Sequence, residues 1–350
     1  MDGTINTPDG CVELKWSYFI PVGAGLENVD SVCYANSVLQ CLTYTPPLAN
    51  YLLGGEHSRT CQERFCMMCT MEEHVWQVLA NPGCVVQPDA VLSQLNLTGE
   101  QFRLGVAEDA HKFLKATVEA MEQSCSLNGQ RVDASVLFEG RLQATTTCQS
   151  CGTRSNDVRS YKDITLSIED VDSVRQALRR HFQSRTKSGY RCWKCQRTCQ
   201  VSKDMALQDL SNVLVLRLKR VDRRRRKNTK YVRYPEVLNM RPFMAHPSGA
   251  PELYHLYGVL VHSGCSADNG HFFSHVKASD GRWYKMDDES VSSSESFLKQ
   301  KAYLLFYIRS PNPAQKRDRD EDVQESSSAR KRARNGATQS SSRLRRARTV

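Results

Sequence analysis

The sequence has no apolar run approaching the roughly 18 residues needed to cross a bilayer, so no membrane partner is expected. Its first ten residues, MDGTINTPDG, are polar and lack the apolar core of a secretory signal, and an intracellular protein is the expectation. There is no internal repeat and no heptad pattern, which leaves the oligomeric state open. Cysteine, by contrast, is plentiful. Fourteen cysteines in a small secreted chain would suggest a disulfide framework, but in 350 residues expected inside the cell they read better as metal ligands, a nucleophile and buried thiols.

Hydrophobic content of 40% and charged content of 25% are those of a soluble globular protein, long enough for one large domain or two ordinary ones. The formal charge of +10 is unevenly placed. Residues 311–350 hold eleven Lys/Arg against five Asp/Glu, a net +6, which leaves +4 for the other 310 residues. That tail contains almost no large apolar side chain, so it cannot offset the entropy of ordering and is expected to be disordered. The division that follows is a lead-in over residues 1–24, a folded body over 25–309 and a basic tail over 310–350. Within the lead-in, Val12, Leu14, Trp16, Tyr18 and Ile20 alternate and fit a strand.

From Cys33 to about Gln123 the pattern is helical. Val38, Leu39 and Leu42 share one face of a helix, as do Phe113, Leu114, Val118 and Met121 of a second. From about Val136 to Ile308 short β-rich runs dominate: GRLQATTTC, ITLSI, NVLVLRLKRV, LYHLYGVLVHS, HFFSHVKA, RWYKM and AYLLFYI. A helical first half feeding a mainly antiparallel second half reads as α+β.

Two CxxC pairs, Cys148/Cys151 and Cys192/Cys195, are separated by 40 residues, each beside a β-run whose turn can present two thiolates to one ion. Four thiolates satisfy tetrahedral zinc and leave no open position, so the expected cofactor is a structural zinc. Cys199, just beyond, reads as a spare thiol. His57, Cys61, Cys66 and Cys69 form a second set of less standard spacing, with His74 as an alternative ligand; another metal and a group of buried thiols are both open readings.

Cys33 sits where a loop enters a helix, and backbone N–H groups at a helix start favour a thiolate. Asn28, five residues earlier, can aim an amide at a developing oxyanion. His271 follows a glycine at the head of a β-run, and Asp287 comes sixteen residues later, after a hairpin turn at Ser279-Asp280-Gly281. A hairpin of that length returns the carboxylate to the imidazole, the arrangement of a cysteine–histidine–carboxylate triad.

GLENVDSVCYANSVLQCLTYTPPLANYLL resembles the Cys box of the ubiquitin-specific proteases, GHFFSHVKASDGRWYKMDD resembles their His box, and the paired CxxC motifs resemble their zinc-bearing fingers. The resemblance covers about residues 23–309, and TYTPPLANYLL, CMMCTME, YPEVLNMRPFM and AYLLFYI are similar to the branch of ubiquitin carboxyl-terminal hydrolases 36, 42 and 17-like. It implies a papain-like fold with helical thumb, β-rich palm and zinc-stapled fingers. It implies a thiol-dependent deubiquitinase that cleaves isopeptide bonds at the C-terminal glycine of ubiquitin through an acyl-enzyme, without a catalytic cofactor. Cys33 would be the nucleophile, His271 the base and later acid, and Asp287 its orienting partner. Asn28 would serve the oxyanion, Asp288 would be a second carboxylate near the site, and Asp109 would bind the ubiquitin tail.

The sequence departs from the family pattern at Asp30, where a glycine is usual, and at Ala107, Lys112, Val221, His275 and the segment Leu137–Gly140. Asp30 and Lys112 motivate an alternative reading, a catalytically weak or inactive ubiquitin-binding scaffold. The run Arg223–Lys227, expected on a hairpin tip, and the arginines of the tail suit weak RNA binding through phosphate contacts. Lys316-Arg317 and Arg330–Arg334 resemble a bipartite nuclear localisation signal. The expected location is therefore the nucleus, with nucleolus and cytoplasm as alternatives.

Overall fold

The computed structural model describes residues 4–310 except 8–9, 30, 98–101, 103–104, 128–133, 223, 265 and 267–268. The basic tail, Asp30 and Arg223 therefore lie outside the described residues. In chain order the strands are β1 (Thr4–Thr7), β2 (Gly10–Glu13), β3 (Gly25–Leu26), β4 (Val85–Val86), β5 (Gly140–Cys148), β6 (Arg154–Tyr161), β7 (Asp163–Ser167), β8 (Arg185–Arg191), β9 (Thr198–Asp209), β10 (Val213–Lys219), β11 (Val237–Asn239), β12 (Leu253–Ser263), β13 (His271–Lys277), β14 (Trp283–Asp287), β15 (Ser290–Ser293) and β16 (Ala302–Arg309). The helices are α1 (Cys33–Thr43), α2 (Pro46–Leu53), α3 (Met67–Ala80), α4 (Asp89–Leu97), α5 (Ala110–Leu127), α6 (Ala134–Phe138) and α7 (Val174–Phe182). Among the described residues no helix is long and apolar enough to cross a membrane.

Helices thus precede most strands, as expected of an α+β chain. The main sheet runs β15-β14-β13-β12-β16-β10-β7, with β11 also paired to β12. All its pairings are antiparallel except β7 with β10. The central strands read as unbroken apolar runs because both faces of the sheet are covered. In β10, Val213 and Val215 pack with the helices while Leu214, Leu216 and Leu218 pack on the opposite side with α7; Leu304/Phe306 and Leu305/Tyr307 of β16 divide in the same way. Helix α1 is also enclosed: all eleven of its residues are buried, not only the face carrying Val38, Leu39 and Leu42.

A separate four-stranded sheet, β6-β5-β9-β8, extends from the palm. Strand β6 is exposed along all but its last residue and β8 along nearly its whole length. This sheet has little apolar core of its own.

The lead-in differs from expectation. Strand β2 ends at Glu13, and Leu14–Ile20 is not a strand. Side chains satisfy its backbone in place of a ladder. Asn50 of α2 donates Nδ2–H to the Lys15 carbonyl at 2.6 Å and accepts from Ser17 N–H at 3.1 Å, and the Ser279 hydroxyl bonds both backbone groups of Ile20.

His275 is buried in β13 with Nδ1 2.7 Å from the Ser294 hydroxyl. Burial first, then the Lys285 charge, bring its pKa down to about 4 from the ordinary 6.5. The unfolded chain therefore takes up this proton first as pH falls, so the stabilisation is complete above pH 6.5 and is lost toward pH 4. Acidification from pH 7 to 5 is expected to cost about 2 kcal/mol through this group. His74 and His262, each also brought down to about 4 chiefly by burial, act in the same direction. Urea unfolding at both pH values should show His275→Phe reducing the pH-linked loss by that amount; an equal loss in both proteins would refute the assignment.

Candidate active site

The site is assembled where the N-terminus of α1 meets the start of β13. Cys33 opens α1 and is buried. Its thiol is raised above the ordinary value. Burial is the main cause, opposed by the Phe272 backbone N–H and reinforced by the Asp288 charge. The helix start supplies the Cys33 and Tyr34 N–H groups, which also lower it, but burial wins. The lowering expected of a helix start is thus present but outweighed, and the site favours the thiol. No hydrogen bond between Cys33 Sγ and the His271 ring occurs among the described residues.

His271 begins β13. Gly270 before it is required, because a Cβ there would collide with His262 Nε2 and the Ser263 carbonyl. The β13–β14 register places Ser274 opposite Met286, so Asp287 stands opposite Phe273 and diagonal to His271 on one face. His271 Nε2 lies 2.5 Å from Asp287 Oδ1. Lys285, on that same face, donates to Asp287 Oδ2 at 2.5 Å and lies 4.6 Å from the centre of the Phe273 ring. Burial would raise the Asp287 carboxyl, but the Lys285 and His271 hydrogen bonds outweigh it and hold the group below its ordinary value.

Asp288 and Glu289 form the two-residue turn between β14 and β15, with Asp288 in the left-handed region at φ 51°. Asp288 Oδ2 accepts from Asn28 Nδ2 at 2.7 Å, Oδ1 accepts from Asn36 Nδ2 at 2.9 Å, and His271 Nε2 is 3.8 Å from Oδ2. Burial raises the Asp288 pKa despite these donors. Asn28 is pinned at both ends, since its Oδ1 accepts from Val32 N–H at 2.9 Å. Its backbone N–H donates to Glu289 Oε1 at 2.8 Å. Gly25 permits this docking: a Cβ there would strike the Glu289 backbone.

Cys33 and Asp109 line one cleft of about 930 Å³, together with Lys112, Arg217, Lys227 and Tyr303. Asp109 caps α5, accepting from Lys112 N–H at 3.0 Å through Oδ1, and its Oδ2 accepts from the Tyr303 hydroxyl at 2.6 Å. The basic run turns back on itself as expected of a hairpin tip, with Val221 bridged antiparallel to Lys227. Asp222 gathers the Arg224 and Arg226 N–H groups at 2.8 and 2.9 Å, and Arg225 and Lys227 border the cleft.

Asn36, Lys285, Glu289 and Tyr303 were not singled out in the sequence. Asn36 had one legible signal, shared with Ser37, Gln40 and Thr43: a polar side chain in a helix that is buried throughout must find a partner.

At the far end of the four-stranded sheet, the ligand atoms of Cys148, Cys151, Cys192 and Cys195 lie within 4.8 Å of one another. The sulfurs of Cys148 and Cys195 are 4.0 Å apart and those of Cys151 and Cys192 are 3.8 Å apart. Four sulfurs at about 2.3 Å from one ion stand about 3.8 Å apart, so the set fits tetrahedral zinc. Cys199 is not remote from it, with Sγ 3.3 Å from that of Cys148.

A family model described as ubiquitin carboxyl-terminal hydrolase matches residues 24–307. The chain belongs to this family. Human ubiquitin carboxyl-terminal hydrolase 42 is 44% identical over 318 residues, covering 87% of this chain and 24% of its own length. Human ubiquitin carboxyl-terminal hydrolase 17-like protein 20 is 44% identical over 303 residues, covering 82% of this chain and 56% of its own. The chain thus spans about a quarter to about half of these relatives. Among solved structures, a chain of the SAGA DUB module Ubp8/Sgf11/Sus1/Sgf73 bound to monoubiquitin superimposes with a TM-score of 0.75 at 27% identity, covering 82% of this chain and 69% of that one. The same module bound to ubiquitin aldehyde gives a TM-score of 0.74 at 26% identity. The helical, sheet and cysteine-tipped regions described above correspond to the thumb, palm and fingers of a ubiquitin-specific protease.

Proposed function

We propose that this family member is an active deubiquitinase that hydrolyses isopeptide bonds at the C-terminal glycine of ubiquitin through a Cys33 acyl-enzyme. One observation carries the reading. The Asp287-paired His271 stands next to Phe272, whose backbone N–H reaches Cys33, so base and nucleophile are neighbours by construction. The related SAGA DUB modules, bound to monoubiquitin and to ubiquitin aldehyde, support ubiquitin as the modifier.

With Nε2 engaged by Asp287, His271 uses Nδ1 to take the thiol proton. The thiolate attacks the glycine carbonyl carbon, and the carbonyl electron pair moves onto oxygen. The Cys33 backbone N–H and an Asn28 amide hydrogen hold that oxyanion. Collapse expels the lysine amine, which takes the proton from His271. Water, deprotonated by the same imidazole, then attacks the thioester, releasing ubiquitin and restoring Cys33. Asp288 acts beside this chain of events by fixing Asn28 and Asn36.

Cys148, Cys151, Cys192 and Cys195 would hold a structural zinc at the fingertips, remote from any step of the reaction. The basic tail would direct the chain to the nucleus; equal distribution of tagged chains with and without residues 311–350 would remove that role.

The deciding experiment is reaction with ubiquitin carrying a thiol-reactive electrophile at its C-terminus. One ubiquitin is expected to attach per chain. Ubiquitin binding without any adduct would replace this reading with that of an inactive scaffold, for which the unbonded Cys33–His271 pair and Lys112 in the cleft are the structural grounds.

A further inference from the structure

A second sulfur-rich cluster lies in the thumb, outside the lining of the catalytic cleft. The ligand atoms of His57, Cys61, Cys66 and Cys69 all lie within 4.8 Å of one another. Two local turns make the cluster. His57 and Cys61 are one helical turn apart in the loop after α2, with Cys61 N–H bonded to the His57 carbonyl at 2.9 Å. Cys66 is the N-cap of α3 and Cys69 lies in its first turn, three residues on. Each turn therefore presents two donors, and the two turns face each other.

His57 is wholly buried and its Nε2 points at Cys66 Sγ, 3.0 Å away. Cys66 is buried, and Cys61 and Cys69 are half-buried against the thumb core. None of the three cysteines is in a disulfide. His74 is buried elsewhere along α3 and is not part of the set, which corrects its candidacy as a ligand.

We propose that His57, Cys61, Cys66 and Cys69 bind a second structural zinc ion in a Cys3His site. Three sulfurs and one imidazole, with no carboxylate, exclude calcium and magnesium as natural occupants and suit tetrahedral zinc. Three thiolates and a neutral imidazole around a dication leave one net negative charge, and the N-terminus of α3 offsets it with its dipole. Four donors close the coordination sphere, so the ion is structural.

The site has a mechanical consequence. It ties the loop after α2 to the start of α3. The far end of α3 supports the strand that leads to the catalytic loop: the Val78 carbonyl accepts from Ala24 N–H at 2.9 Å, and the Cys84 carbonyl just beyond accepts from Gly25 N–H at 3.0 Å. Asn28 lies three residues past Gly25. The second zinc thus fixes the helix against which the segment carrying Asn28 is laid, a consequence that rests on the protease reading; the metal site itself does not.

The test is metal content and zinc-edge X-ray absorption on the full chain, neither of which depends on activity. Two zinc ions per chain are expected, with an average shell of about 3.5 sulfur and 0.5 nitrogen atoms per zinc. Cys66→Ser should lower the content to one ion and leave an all-sulfur shell, whereas His57→Cys should keep two ions and convert both shells to sulfur. Cobalt loading of a Cys192→Ser chain should still give tetrahedral absorption with sulfur charge transfer. A wild-type chain holding one zinc in an all-sulfur shell would overturn the proposal, whether or not the protein proves to be a protease. So would a disulfide among Cys61, Cys66 and Cys69 in protein alkylated without reduction.

Discussion

Cys33→Ala is expected to lower turnover of a ubiquitin conjugate by about 10⁴-fold or more and to abolish adduct formation with electrophilic ubiquitin, while ubiquitin binding persists. The size of the effect follows from Cys33 being the sulfur that the Phe272 N–H, next to His271, reaches. Cys41, fully buried eight residues further along α1, about two helical turns deeper, cannot substitute. The unliganded thiol should also be slow to alkylate. Burial and Asp288 raise its pKa, so the thiolate fraction grows with pH and the iodoacetamide rate should still be rising above pH 9. Loss of the adduct together with loss of ubiquitin binding would indicate a folding defect. An adduct that survives Cys33→Ala would place the nucleophile elsewhere.

Removing the four-cysteine set proposed to hold zinc at the fingertips should have the largest effect on structure. Strands β6 and β8 are exposed along nearly their whole length, and the buried apolar residues of the finger strands are few: Cys148, Tyr161, Val201 and Leu207, with Cys192 just past β8. Such a sheet cannot stand on hydrophobic burial alone, and structural zinc binding in small modules contributes on the order of 10 kcal/mol. Cys148→Ser/Cys192→Ser is therefore expected to speed amide exchange in the distal halves of β5, β6, β8 and β9 by ~10³-fold or more. Amides of β12, β13 and β16 in the palm, buried on both faces, should stay protected. Hydrogen exchange by mass spectrometry separates the two regions. Unchanged protection in the fingers would show that the sheet is held by something other than the metal.

Several elements were legible in the sequence because their signals are local. GRLQATTTC and LYHLYGVLVHS coincide with β5 and β12, and the Ser279–Gly281 turn joins β13 to β14 as its residues require. Strands β6 and β8 were missed because they are polar and solvent-facing, so no alternation of apolar residues marks them, and β9 because Lys203 interrupts the alternation of Cys199, Val201, Met205 and Leu207. Helix α7 was missed in a β-rich stretch because only Val174, Ala177 and Leu178 of its nine residues are buried. The alternation over Val12–Ile20 misled for the opposite reason: the pattern suits a strand, but Asn50 and Ser279 satisfy the backbone there.

What the sequence determined by itself was the inventory: an α+β chain, a cysteine at a helix start, a histidine and an aspartate at hairpin spacing, and two sets of sulfur ligands. Those depend on residue type and short-range spacing, which a linear reading preserves. Tertiary structure decided how the parts are set. It put Asp288 on Asn28 and Asn36 across more than 250 residues of chain, placed Tyr303 on Asp109, and buried Cys33 deeply enough to favour its thiol. It also brought the His57–Cys61 turn against the cap of α3. Charge coupling and desolvation depend on distance and burial, and both arise only when the chain closes on itself.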